Sequence, residues 1–163
     1  MKIRIANRND LHAMTDIYNQ AIMTKESTAD LETFSVEERI QWFESHQNKE
    51  YPLYVIEKDG QVIGYVYISA YRPGRKAMKD TVEVSYYIHQ GHLRQGIGSK
   101  LLEFMINEAR ELNYKTMVAI LLEVNIASIR LLEKFEFEEW GRLKDIADLD
   151  GKICSHLYYG LKL

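Results

Sequence analysis

The chain is poor in the residues that would mark several common protein classes. Among its 163 residues there is one cysteine, Cys154, so no disulfide can form within the chain. The five histidines are scattered, and no pair has the spacing of a helix-face or finger metal site, so no metal is expected. Basic residues are not in excess. A net charge of −3 and a pI near 6.0 argue against a nucleic-acid partner, which would call for a basic surface. There is no apolar run long enough to span a bilayer. Met1-Lys2-Ile3-Arg4 enters a short strand directly, where a signal peptide would show an apolar core. No membrane partner and a cytoplasmic location are therefore expected. Repeats, low-complexity stretches and charge blocks are absent as well, so nothing marks a linker. With 46% hydrophobic and 28% charged residues, the composition fits one ordinary domain, 1–163, able to bury a core without staples.

The informative stretch is Val82–Leu102. Val82, Val84, Tyr86, Tyr87 and Ile88 read as a strand. A loop with Gly91, Gly96 and Gly98 follows, and Ser99 opens a run of helical periodicity. A strand feeding a glycine loop into a helix start makes an anion cradle. Its unpaired N–H groups point one way, and the helix dipole favours negative charge there. Glycine lets the backbone approach a phosphate where a Cβ would clash. Two phosphate ligands are excluded by spacing. Gly91 and Gly96 have the gap of a P-loop, but Ile97-Gly98 stands where Lys-Ser or Lys-Thr is required. Gly96-x-Gly98 is followed by Leu101 where a dinucleotide fingerprint needs its third glycine, and Ile120-Leu121-Leu122 supplies no acidic strand end. A pyrophosphate loop remains, against the alternative of an ordinary glycine turn.

The rest of the chain alternates between strand and helix patterns. Strands are expected at Lys2–Ala6, Leu53–Glu57, Val62–Ser69, Thr81–His89 and Thr116–Leu122, with two more near Glu138–Leu143 and Ile153–Leu161. Asp59-Gly60 between the second and third is a hairpin signal. Asn9 or Asp10 is expected to cap a helix with Leu11, Met14, Ile17, Tyr18, Ala21 and Ile22 on one face. Ser35-Val36-Glu37-Glu38 is a capping box for a second helix. A third helix is expected over Ser99–Leu112, with Leu101, Leu102, Met105, Ile106 and Ala109 inward, and a fourth over Ala127–Lys134. Tyr71–Asp80 is a basic loop.

Two segments carry a family resemblance. Tyr87-Ile88-His89 with Arg94-Gln95-Gly96-Ile97-Gly98-Ser99-Lys100-Leu101-Leu102 resembles the acetyl-CoA pyrophosphate loop of the GNAT superfamily of N-acyltransferases. Asn125 to Phe137, ending Lys134-Phe135-Glu136-Phe137, resembles its second signature. The resemblance implies an α/β GNAT fold, a mixed and mostly antiparallel central sheet flanked by helices. It implies acetyl-CoA as cosubstrate and transfer of acetyl to an amine. The pyrophosphate would be held by Arg94, Gln95, Gly96, Ile97, Gly98 and Ser99. Tyr86, Tyr87 and Ile88 would meet pantetheine through their main chain, and Asn125 would flank it or cap its helix.

Within the superfamily, Ile3-Arg4-Ile5-Ala6, Ser35-Val36-Glu37-Glu38-Arg39 with Trp42-Phe43, and Tyr71-Arg72-Pro73 before Thr81-Val82-Glu83 resemble the phosphinothricin acetyltransferases and their amino-acid-acetylating relatives. That similarity implies Glu83 as base or water relay for the amine proton, against the alternative of a Glu paired with Arg72, Arg75 or Lys79. Alternation puts Glu83, Ser85 and Tyr87 on one face, opposite Val82, Val84, Tyr86 and Ile88, unless a bulge intervenes. Arg72 and Arg75 are candidate anchors for a carboxylate or phosphinate, because the guanidinium fork matches two oxygens; plain solvated charge is the alternative, and for Arg75 the better one.

The departures fall on the acceptor side. Met78 and Ala29 stand near positions where aromatics are expected, and Ile153-Cys154-Ser155 departs from a Trp-containing last strand. Leu132 stands where a thiolate-protonating Tyr is frequent, Leu93 where Arg or Gln is common, and Glu136 replaces a glycine. Protein or peptide acetylation and a non-catalytic acetyl-CoA-binding module are the alternatives to a small-molecule enzyme. Related enzymes often pair as homodimers, and the sequence leaves the choice between monomer and homodimer open.

Overall fold

The computed structural model describes residues 1–163. Its first strand, β1 (Lys2–Ile5), runs into a short turn and then α1 (Leu11–Thr24). Neither Asn9 nor Asp10 caps α1 with its side chain. Asn7 does the capping one turn earlier, accepting the Asn9 N–H at 3.0 Å, because the Asp10 carboxylate is already engaged. Asp10 accepts the Asn7 N–H at 2.8 Å and two Arg4 nitrogens at 2.7 and 2.8 Å, which ties the start of the helix to β1.

α2 (Val36–Ser45) begins at the expected capping box: Glu38 N–H donates to the Ser35 hydroxyl, and Ser35 N–H to the Glu38 carboxylate. β2 (Leu53–Lys58) and β3 (Gln61–Ala70) are joined at Asp59-Gly60, both with positive φ (52° and 78°), as a tight hairpin requires. β4 (Thr81–Ile88), α3 (Ile97–Glu111), β5 (Thr116–Leu122) and α4 (Ile126–Lys134) follow. The last two strands, β6 (Glu138–Leu149) and β7 (Lys152–Lys162), run longer than expected. Asp150-Gly151 turns between them with φ of 53° and 92°, the same signal as the first hairpin. Two irregularities in the β6–β7 register interrupt the alternation that would have revealed β6 in full.

The seven strands form one sheet in the order β1-β2-β3-β4-β5-β7-β6. Every neighbouring pair is antiparallel except β4 and β5, which α3 connects as a parallel crossover. This is the mixed, mostly antiparallel α/β sheet that the sequence predicts. Its faces differ. Val66, Ile68, Val82 and Val84 pack beneath Leu101, Leu102, Met105 and Ala109 of α3 in a cluster of 19 buried residues. On the other face Leu53, Val55 and Tyr65 meet Met14 and Ile17 of α1 and Phe43 of α2. The inward face of α3 is the one its periodicity indicates.

The pairing between β3 and β4 is continuous from Ala70↔Val82 to Gly64↔Ile88, with no bulge. Glu83, Ser85 and Tyr87 therefore share a face with their partners Ser69, Tyr67 and Tyr65, and Tyr86 and Ile88 pack on the opposite side.

The Asp10 cluster is a test of the N-terminal anchor. Burial opposes ionisation of Asp10, but the Arg4 guanidinium and the Asn7 N–H outweigh it and hold the carboxyl below its usual value. A depressed carboxylate stabilises the fold above about pH 4 and ceases to as pH falls through its folded pKa. Asp10→Asn should cost about 2 kcal/mol at pH 7, and the loss should shrink on acidification; urea unfolding of both proteins at pH 7 and pH 3 measures this.

Candidate active site

β4 and β5 stay paired for only three residue pairs, Thr81↔Thr116, Val82↔Met117 and Glu83↔Val118. Beyond Glu83, β4 continues along β3 while β5 continues along β7, so the two strands part. The gap is a cavity of about 540 Å³, walled by Val84–Ile88 on one side and Ala119–Leu121 on the other, and closed by the starts of α3 and α4. The β5-facing edge of β4 beyond Glu83 has no strand partner. It presents free main-chain donors and acceptors to whatever enters.

α3 begins at Ile97, two residues before the expected Ser99. Gly96, with φ of 76°, occupies the left-handed region and turns the chain into the helix, so no side-chain cap is needed. The first intrahelical bond runs from Lys100 N–H to Gly96 C=O at 3.1 Å. The amides of Ile97, Gly98 and Ser99 precede it and have no intrahelical acceptor. Gly98 also has a packing duty. A Cβ there would lie 2.9 Å from Leu131 Cδ2 and 3.2 Å from Ile88 Cδ1, so its bareness lets α3 sit against α4 and β4.

Around this helix start, Arg94 and Gln95 are exposed; Arg94 has φ of 59°, and Gln95 Nε2 donates to Gly91 C=O at 3.3 Å. Lys134 Nζ reaches Ser99 Oγ at 3.4 Å, which brings a cation from the end of α4 to the same place. Asn125 lines the cavity and caps α4, accepting the Ser128 N–H at 3.1 Å. Gln20 of α1 accepts the Gln90 N–H at 2.9 Å and lines the cavity together with Thr24, a tie for which the sequence offers no signal. His89 accepts the Gly91 N–H at 3.1 Å and so caps the loop.

Glu83 is half-buried beside the point where the strands part. It takes part in none of the ion pairs of the structure, so Arg72, Arg75 and Lys79 do not neutralise it. Burial pushes its carboxyl above the usual value. On the same face lie the phenols of Tyr65, Tyr67 and Tyr87, each held protonated by burial.

Arg72 and Arg75 are exposed and line a second cavity of about 510 Å³ with Lys76, Lys79 and His46. Ser69, the cross-strand partner of Glu83, also lines it. The structure thus sets the arginines beside the strand end that carries Glu83, outside the cavity between β4 and β5.

One charged residue behind this face escaped sequence reading. Arg39 of α2 is only 8% exposed and makes no ion pair; its guanidinium lies 3.8 Å from the Trp42 ring centroid and 4.3 Å from that of Tyr18. The spacing of Arg39 and Trp42 along α2 placed them on one face, but nothing in it foretold burial. Cys154 is buried at 1% exposure among Leu122 and Leu149, and burial raises its thiol, which makes it a packing residue. No three His, Cys, Asp or Glu side chains converge to hold a metal ion, and no helix is long and apolar enough to cross a membrane.

A parallel strand pair that opens into a cleft, ending on the bare amides of a helix start, can take an elongated ligand with an anionic end. The chain belongs to the acetyltransferase (GNAT) family, whose model matches residues 12–137. An L-methionine sulfoximine/L-methionine sulfone acetyltransferase of Salmonella typhimurium (strain LT2) is 33% identical over 163 residues, spanning 100% of this chain and 95% of its own. The solved structure of a GNAT superfamily phosphinothricin acetyltransferase from Sinorhizobium meliloti in complex with AcCoA superposes with a TM-score of 0.93 at 28% identity, covering 99% of this chain and 88% of that one. A ribosomal-protein-alanine N-acetyltransferase from Brucella melitensis superposes with a TM-score of 0.94 at 32% identity over 100% of both chains.

Gly98→Ala should force Leu131 and Ile88 aside and lower stability by about 1–2 kcal/mol. Asn125→Ala should cost about 1 kcal/mol through the lost cap. Denaturant titration of both variants would reveal whether either residue is free of a structural duty.

Proposed function

We propose that this chain, as one domain over residues 1–163, transfers acetyl from acetyl-CoA to the amine of a small molecule, an α-amino acid or a phosphinic or sulfoximine analogue. The observation that carries this reading is the cavity where β4 and β5 part, with the free amides of α3 at its end. The donor set suits acetyl-CoA. The amides of Ile97, Gly98 and Ser99, with Arg94, Gln95 and Gly96 around them and Lys134 beside them, suit a pyrophosphate. The open edge of β4 at Tyr86, Tyr87 and Ile88 suits an arm that carries amide groups, which can add to the sheet as a strand would.

Acetyl-CoA supplies an activated thioester. The chain's residues hold it, set the amine against it and handle the proton. Glu83, half-buried without a cationic partner, is a base whose raised pKa brings it nearer to neutrality. It takes the amine proton directly or through water, so that the nitrogen is neutral when it attacks. Positioning contributes a large share of the rate, since the strand end that carries Glu83 lies between the cavity and the arginine loop. Arg72 suits the acid group of an amino-acid acceptor, with Arg75 a second candidate on the same loop.

The net charge of −3 supports a small-molecule partner over nucleic acid or an anionic membrane surface, and use of acetyl-CoA suits the cytoplasm. Strand β6 ends the sheet and exposes Leu143 and Ile146, which supports a homodimer. Likeness to the Brucella melitensis enzyme supports a second reading, acetylation of a protein N-terminus. A thiol-release assay against free amino acids, sulfoximine and phosphinic analogues, and short peptides separates the two. Turnover of amino acids or their analogues without peptides bears out the proposal; peptide turnover alone overturns it.

Glu83→Gln should lower kcat/KM by about 10²–10⁴-fold and abolish the acid limb of its pH profile. The ionised carboxyl with a raised folded pKa destabilises the protein above its unfolded pKa. The same variant should therefore unfold at a higher temperature at pH 8, an opposition of activity and stability that calorimetry beside the rate assay detects.

A further inference from the structure

The end of α2 sets an imidazole at the second cavity, the one that holds the arginines. His46 follows the last residue of α2 and is half-buried, its ring centroid 5.0 Å from that of Trp42 and 4.8 Å from that of Tyr67. Its Nδ1 lies 2.8 Å from the Trp42 carbonyl oxygen and 3.1 Å from the Ser45 hydroxyl. The carbonyl can only accept, and the Ser45 hydroxyl gives its own proton to that carbonyl at 2.6 Å. Nδ1 therefore carries the hydrogen. Burial, reinforced by the charge of Arg39, lowers the His46 pKa against the pull of the Trp42 carbonyl, so the ring is neutral and Nε2 is bare. Nε2 has no hydrogen-bond partner in the chain and is not sealed from solvent.

The surroundings give that nitrogen a use. The cavity, about 510 Å³, has room for a small amino acid, and His46 lines it with Arg72, Arg75, Lys76 and Lys79. No carboxylate is in the lining. The cations can only donate, and the hydroxyls there can donate or accept. Among the lining side chains, Nε2 is the one strong acceptor that cannot donate. Ser69, the cross-strand partner of Glu83, lines the same cavity. An acceptor with its acid group on Arg72 and its amine toward the Glu83 strand end therefore has its side chain left in this cavity. We propose that His46 selects the acceptor by that side chain, its Nε2 accepting a hydrogen bond from an N–H or O–H group there. An isostere with only acceptor atoms would set a lone pair against that of the nitrogen and leave Nε2 unpaired. The inference rests on the acetyltransferase reading above and specifies the acceptor class within it.

Methionine sulfoximine and methionine sulfone test this, because they differ only by an S=N–H in place of an S=O. The wild-type protein should show a kcat/KM about tenfold higher for the sulfoximine. His46→Asn keeps a donor for the Trp42 carbonyl and removes the Nε2 acceptor. It should lower the sulfoximine value about tenfold and change the sulfone value less than about twofold. His46→Gln, whose carboxamide oxygen can stand in for Nε2, should retain the preference. Both variants should bind acetyl-CoA as the wild-type protein does, since His46 lies outside the cavity between β4 and β5. The wild-type ratio needs no variant and decides whether or not His46→Asn folds. Equal wild-type values for the two compounds overturn the role of His46, as does a preference unchanged in His46→Asn or lost from both variants alike. Turnover of other amino acids but of neither compound overturns it too, and each of these outcomes leaves the acetyltransferase reading standing. Absence of acetyl transfer to any free amino acid overturns both.

Discussion

The site depends on the parting of β4 from β5 after three residue pairs. Up to Glu83 and Val118 the two strands share a parallel ladder; beyond it each keeps its other neighbour and they diverge. The ladder bonds that β4 forgoes are the ones an entering ligand arm can make. The same divergence opens the floor on which α3 and α4 meet, so that the helix-start amides face the gap. A sheet that stayed closed would have buried Tyr86 and Leu121 in a continuous core and left no cavity.

The cost of that opening is visible as polar groups set in low dielectric. Glu83 is half-buried without a cation, and Arg39 is buried against Trp42 and Tyr18 without an anion. Each would be a liability in a protein selected for stability alone. They stand on the same side of the sheet, among tyrosines, which supplies polarisable surroundings in place of a direct partner. Tyr18 itself donates to Asp30 and approaches Thr28 at 3.0 Å, which holds the segment after α1 over this face. The N-terminal anchor works in the opposite way. Arg4 there satisfies Asp10 and Glu57 together and stabilises the first strand against the second.

Much of the fold was legible because the physics is local. The amphipathic face of α3, the Ser35 capping box and the Asp59-Gly60 hairpin each need only residues within a few positions of one another. The misreadings share a different cause. Asn9 and Asp10 look like caps, but Asp10 is claimed by Arg4 and the cap moves to Asn7. Ser99 looks like a helix start, but Gly96 reaches the left-handed region that starts it earlier. β6 looks short because its register with β7 slips twice, although Asp150-Gly151 carried the turn signal throughout. In each case a contact from outside the window decided between two local options.

The sequence by itself determined the family, the order of elements and the glycine loop at the start of α3, since these rest on periodicity, turn chemistry and motif spacing. It also determined that Glu83 shares a face with Ser85 and Tyr87, because strand alternation has a fixed period. Only the tertiary structure decided that β4 and β5 separate, that Gly98 serves helix packing and that Arg39 is buried. Those facts depend on which strands remain hydrogen-bonded and how closely two helices approach, and neither quantity is written in any short stretch of chain.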